Sequence, residues 1–295
     1  MSGACRDALE RSGLYVAPRE DDVEEAVRRA CASPYDFAEA VLGERPWLVE
    51  RQHIRPLPRA RSIASSTVEA PLHTDSQSAL GVPATVQILL CRAQAARGGE
   101  SVFVDGFDLA ARVLTADPPL GAALFEAPRV QRFYFGDVVG PTIARRGGHL
   151  AWTLAPEPKD DLGRRLAPHL ARAPRVERRL EPGDVLVASN HRTLHGRRAF
   201  EGGARELVRL LAWLERPLAH DAELGRLARD VEIEPPTGPS LAEPARRAVD
   251  AMLAGEPPAK VAARAAVEER ELYAWRDRVL WAGPLAGRGA VRAPR

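Results

Sequence analysis

Leu72-His73-Thr74-Asp75 and, far downstream, Leu194-His195-Gly196-Arg197 decide how this chain is read. A His-x-Asp pair answered by one distant His can give two imidazoles and one carboxylate to one face of an octahedral metal, leaving three positions open. That donor set suits iron(II) and oxygen chemistry. On extended backbone, side chains at i and i+2 point to the same side, so His73 and Asp75 would both reach one ion. The third ligand then has to return from an opposing sheet. Alone such a pair is a weak signal, because short motifs recur by chance.

The surroundings are those of a β protein. Val86-Gln87-Ile88-Leu89-Leu90-Cys91 is an apolar run bounded by Pro83 and the Gly98-Gly99 turn, and Ser101-Val102-Phe103-Val104-Asp105 is a second run closed by Gly106. Glu181-Pro182-Gly183-Asp184 reads as a turn into the strand Val185-Leu186-Val187-Ala188. Arg205 to Leu214 is a further strand candidate, although so short an apolar run is also compatible with a helix. Short strands, Gly/Pro turns and widely separated ligands predict a mainly β chain with flanking helices. The expected architecture is a double-stranded β-helix, the jelly roll that cupins use.

Helical patterns occupy the two ends. Asp21 and Asp22 suit a helix N-terminus, and Val23, Ala26, Val27 and Ala30 form one stripe. Beyond Pro217 the composition shifts to Ala, Arg, Glu and Pro. Ser240-Leu241-Ala242-Glu243 reads as a capping box leading into Ala245 to Leu253, and Val261 to about Arg276 as one longer helix. The chain therefore divides into residues 1–216, a jelly-roll domain with an N-terminal helical segment, and residues 217–295, a helical C-terminal extension. That extension has three readings: packing on the barrel, covering the site, or joining a homo-oligomer.

Composition sets bounds. The 295 residues are 45% apolar, enough for a large core, and the formal net charge of +2 gives no case for nucleic acid. Arg far outnumbers Lys, present only as Lys159 and Lys260, a bias in keeping with a GC-rich coding sequence. No apolar stretch of 18 residues occurs, and Met1 to Asp7 lacks the apolar core of a signal peptide, so a cytoplasmic enzyme without a membrane partner is expected. Cys5, Cys31 and Cys91 are odd in number and widely spaced, which suggests neither a disulfide framework nor a zinc cluster.

Taken together, Leu72 to Asp75, Gly98-Gly99-Glu100-Ser101, Gly183-Asp184, Leu194 to Arg197 and the later Arg205 resemble the taurine dioxygenase and gamma-butyrobetaine hydroxylase superfamily. The resemblance spans roughly residues 60 to 215. It implies an iron(II)- and 2-oxoglutarate-dependent oxygenase consuming O2, with His73, Asp75 and His195 as catalytic iron ligands. It also implies that Ser101 and Arg205 hold the far carboxylate of 2-oxoglutarate, a guanidinium fork and a hydroxyl being suited to that group. Arg205 follows His195 by ten positions, slightly fewer than in some relatives, so Arg209 is the alternative.

In that family the reaction releases succinate and CO2 and oxidises an unactivated C–H bond of a small molecule. Halogenating relatives lack the carboxylate ligand that Asp75 retains. Hydroxylation is the expected outcome, while desaturation or cyclisation in natural-product biosynthesis would use the same cofactors. A zinc-dependent hydrolase would use the same ligands but leave Ser101 and Arg205 without a role.

If Arg205 faces the iron pocket, the even spacing brings Arg209 there too. A second buried guanidinium needs an anion, which suggests an anionic or amino-acid-derived substrate, with Gln77 beside it. The competing expectation for Arg209 is a salt bridge to Glu100 or Asp105. His191 reads as a packing residue near the ligands, and His53, His149, His169 and His220 as surface or locally hydrogen-bonded histidines.

Overall fold

The computed structural model describes residues 3–57, 60, 63–75, 82–133, 136–156, 158–232 and 241–282. Its centre is two antiparallel sheets. The larger has the spatial order Leu14–Val16, Val185–Ser189, Val86–Ala93, Glu206–Trp213, Leu48–Ile54. The smaller runs Val176–Arg178, Ser101–Asp105, Thr193–Arg197, Ala70–His73. The Glu206–Trp213 run, left open between strand and helix by its sequence, is a strand because it fills the slot between two others and is buried along nearly its whole length.

Alternation assigns the faces. Leu89, Cys91, Leu186 and Leu207 of the larger sheet share a buried cluster with Phe103 of the smaller one, so these faces look at each other. On the opposite face of the larger sheet, Ile88, Leu90, Val208 and Leu210 pack on helices Ala4–Ser12, Val23–Ala32 and Pro34–Leu42. The outer face of the smaller sheet, through Val104 and Leu194, is covered by helices Gly106–Ala116, Pro118–Glu126 and Asp161–Arg172. Each such buried side chain contributes about 1.5–3 kcal/mol. The space between the sheets is thus fixed from both outer sides.

The helix expected from Asp21 runs Val23–Ala32, with the Asp22 carboxylate accepting from the Glu25 N–H. The C-terminal helices depart from expectation in two ways. Helix Glu243–Leu253 is preceded by Ala242 with no side-chain cap, while Ser240 lies outside the described residues. The expected long helix is two, Pro258–Ala265 and Glu269–Ala282, because Ala266 adopts φ 55° and its N–H closes the first helix on Ala262 and Ala263. The extension packs on the larger sheet, with Leu253 and Leu280 against Leu48, Leu211 and Trp213. None of the described helices is long and apolar enough to cross a membrane.

His149 is not at the surface. It is buried edge-on to His191, with ring centroids 5.2 Å apart, and its Nδ1 has no hydrogen-bond partner. His191, in the turn after Val185–Ser189, donates through Nε2 to the Pro83 carbonyl at 2.8 Å. Burial, then the neighbouring cation of Arg6 for His149 and the adjacent His149 for His191, pushes these imidazoles down from 6.5 to about 4 and about 3. The unfolded chain therefore takes up protons below about pH 6.5 that the fold refuses, and stability falls with pH through that window. The midpoint temperature should drop between pH 6.5 and 4, and His149→Phe, which keeps an edge-on ring, should flatten the decline. An unchanged slope in that variant would contradict the assignment.

Candidate metal centre and cosubstrate pocket

His73 ends its strand and is the register partner of His195 on the neighbouring strand, which places the two rings 4.5 Å apart. Thr74 and Asp75 lie just beyond the strand. Both are clamped: the Thr74 N–H donates to Leu154 O at 2.9 Å, and its hydroxyl accepts from the Leu154 N–H at 3.0 Å. The fully buried Asn190 amide brackets Asp75, accepting from its N–H at 2.8 Å and donating to its carbonyl at 2.7 Å and to Ala84 O at 3.0 Å. One ligand atom from each of His73, Asp75 and His195 lies within 4.8 Å of the others.

The protonation states suit a cation. His73 Nδ1–H donates to Pro71 O at 2.7 Å, which leaves the Nε2 lone pair for a ligand. Burial and then the neighbouring His195 push His73 down to about 4, so it is neutral near pH 7. Burial opposes ionisation of Asp75, but Arg209 and then the imidazoles outweigh it and hold the carboxyl well below the usual range. Both ring nitrogens of His195 are buried without a hydrogen-bond partner among the described residues, Nε2 lying 3.4 Å from Asp75 Oδ2. Such orphaned atoms cost free energy unless something meets them. A metal ion fits the group.

Arg205 and Arg209 have different surroundings. Arg205 is buried, its one hydrogen bond among the described residues runs from Nε to Gly99 O at 3.2 Å, and no carboxylate pairs with it. Burial and then the nearby Arg197 lower its pKa to about 10, so it stays cationic. The Gly-Gly turn makes its berth: at Gly98, φ 72°, a Cβ would lie 2.1 Å from Ala199 O, and at Gly99, φ 78°, one would crowd the Arg205 side chain at 3.1 Å. Ser101, also buried, pairs with Arg197 as Phe103 pairs with His195, which puts Ser101 on the ligand face.

Arg209 meets neither Glu100 nor Asp105. Its Nη1 donates to Asp75 Oδ2 at 2.7 Å, and its Nε and Nη2 both donate to the Gln52 side-chain oxygen. Asp105 instead caps helix Gly106–Ala116 and pairs with Arg192, and Glu100 lies near Arg179. Arg197 donates to carbonyls of the 63–68 segment and is structural. Gln77 lies outside the described residues. Sequence reading missed Asn190, Gln52 and the role of Thr74; only Asn190, beside the second ligand segment, had a signal in its position.

The chain matches the model of the taurine catabolism dioxygenase TauD, TfdA family over residues 44–164 and 149–211, more than half its length. The chain belongs to this family. As a TauD/TfdA member it is a non-haem iron oxygenase that uses iron(II), 2-oxoglutarate and O2. No curated protein matches the sequence. Among solved structures, asparagine oxygenase in complex with Fe(II), 2S,3S-3-hydroxyasparagine and succinate is similar with a TM-score of 0.53 and 18% identity, covering 72% of this chain and 80% of that one. AAD-2 in complex with Mn(II) and N-oxalylglycine gives 0.53 and 16%, over 75% and 91%. At these identities the likeness is one of fold.

Asn190→Ala would leave the Asp75 N–H and two carbonyls unpaired in the interior. It should lower unfolding stability by roughly 1–3 kcal/mol and weaken metal binding, measured by denaturant melts and calorimetry. Wild-type values in both would mean that Asn190 does not hold Asp75.

Proposed function

We propose that this oxygenase hydroxylates an unactivated C–H bond of a small, amino-acid-derived metabolite, with His73, Asp75 and His195 as its iron ligands. The observation that carries the reading is the convergence of His73, Asp75 and His195, one ligand atom of each within 4.8 Å of the others, with His73 neutral and Asp75 ionised. The two facing sheets are read as a double-stranded β-helix whose interior holds the site. Iron(II), 2-oxoglutarate and O2 supply the oxidant, and succinate and CO2 are the accompanying products.

The chain's own part is binding and orientation. The Pro71 carbonyl fixes which His73 nitrogen carries the lone pair, and Arg209 engages Oδ2 of Asp75 while no hydrogen bond from the described residues reaches Oδ1. Arg205, buried without an anion, takes the far carboxylate of 2-oxoglutarate, with Ser101 adding a hydroxyl donor. Arg209 is already met by Asp75, so its charge no longer requires an anionic substrate. The amino-acid reading rests instead on the parallel with asparagine oxygenase, whose structure holds a hydroxylated amino acid.

His73→Ala and His195→Ala should each abolish formation of succinate from 2-oxoglutarate while the fold survives. Full activity in either would discard the ligand set. Arg205→Ala should raise the 2-oxoglutarate requirement ten-fold or more, since stranding a buried carboxylate costs about 2–5 kcal/mol. An unchanged requirement there, with Arg209→Ala damaged instead, would move that role to Arg209. For the outcome, amino acids and their derivatives are screened for substrate-stimulated succinate formation under labelled O2. Hydroxylation puts one labelled oxygen into the product; loss of two hydrogens without label would establish desaturation or cyclisation.

A further inference from the structure

The Arg209 guanidinium is the inner end of a longer hydrogen-bonded chain. Gln52, whose oxygen accepts from Arg209, donates through Nε2 to Glu50 Oε1 at 2.8 Å. The other Glu50 oxygen accepts from Arg276 Nη1 at 2.8 Å, and Arg276 also donates to Asp277 Oδ1 through Nε and Nη2 at 2.9 and 2.8 Å. Glu50, Arg276 and Asp277 are 3%, 1% and 1% exposed, so this is an interior relay rather than a surface ion pair. Arg276 and Asp277 belong to helix Glu269–Ala282, beyond residue 211 where the family match stops.

We propose that helix Glu269–Ala282 is part of the active site: Arg276, through Glu50 and Gln52, limits Arg209 to one oxygen of Asp75 and keeps the other open for iron. An unrestrained guanidinium favours a fork across both oxygens of a carboxylate, and such a fork would compete with the metal. Gln52 takes up the Nε and Nη2 edge and so fixes the orientation of the guanidinium, and in that orientation Nη1 alone donates to Asp75. The Gln52 amide presents its oxygen to Arg209 only because its nitrogen faces Glu50, whose acceptor-only carboxylate sets that orientation. Arg276 in turn holds Glu50 in place through its Nη1. Gln52, Glu50 and Arg276 are positioning residues, and the inference rests on Asp75 being a metal ligand.

The test is calorimetric titration of the full-length metal-free protein with Mn(II), beside thermal melts, for wild type, Asp75→Ala, Gln52→Leu, Arg276→Met, Arg276→Lys and the Gln52→Leu/Arg276→Met double variant. Loss of an outer partner of a metal ligand typically weakens the metal about 10–100-fold. Gln52→Leu and Arg276→Met should fall in that range, Arg276→Lys should recover part of it by keeping a cation on Glu50, and the double variant should lose little more than either single one. If Arg276→Met fails to fold, the uncharged change Gln52→Leu decides alone. A folded Gln52→Leu protein that binds Mn(II) like wild type, while Asp75→Ala does not bind, overturns the relay and leaves the site intact. Wild-type binding by Asp75→Ala overturns the ligand assignment itself.

Discussion

The register that sets His195 directly opposite His73 is the constraint on which the site depends. Side chains alternate along a strand, so a slip of one residue would send His195 to the outer face with Leu194 and destroy the site. Register is secured from both sides of the smaller sheet. Val104 and Leu194 commit their face to the helices, while Phe103 commits the opposite one to the larger sheet. The third group, Asp75, lies past the end of its strand and cannot rely on the ladder. The Asn190 amide brackets its backbone, and Leu154 holds the adjacent Thr74, through hydrogen bonds, which have the directionality that apolar packing lacks.

Charge is arranged along the interior with two contrasting poles. At Arg205 and Arg197 two buried guanidiniums flank the Phe200 ring at 5.8 and 4.9 Å, and no carboxylate among the described residues pairs with them, an arrangement that favours an incoming anion. Around Asp75 two imidazoles and one carboxylate converge, an arrangement that favours an incoming metal. A metal-chelating dicarboxylate joins these two requirements in one molecule. The family membership supplies such a molecule in 2-oxoglutarate.

What the sequence made legible was local. His73, Asp75 and His195 stand in short motifs, the Gly98-Gly99 turn shows in its composition, and the strands at 86, 101, 185 and 206 show in their apolar runs. What it hid was created by approach. Glu50 and Arg276 are 226 positions apart and Gln52 and Arg209 157, and no spacing rule links them. Nor does His149 betray in sequence that it will be buried against His191, beside Leu9, Phe107 and Leu218, which only the fold brings to that corner. Arg209 is the instructive case: strand parity put it in the pocket, but its partner is Asp75 rather than Glu100 or Asp105.

His73, Asp75 and His195 would together hold one iron(II), and 2-oxoglutarate would bind with that iron. An anaerobic titration of the metal-free protein with iron(II) and 2-oxoglutarate, followed by visible absorption, tests it directly. A charge-transfer band should appear that needs both additions, saturates at one iron per chain, and is absent in His73→Ala and His195→Ala. A band that persists in those variants, or its absence from a wild-type protein that has bound iron, would contradict it.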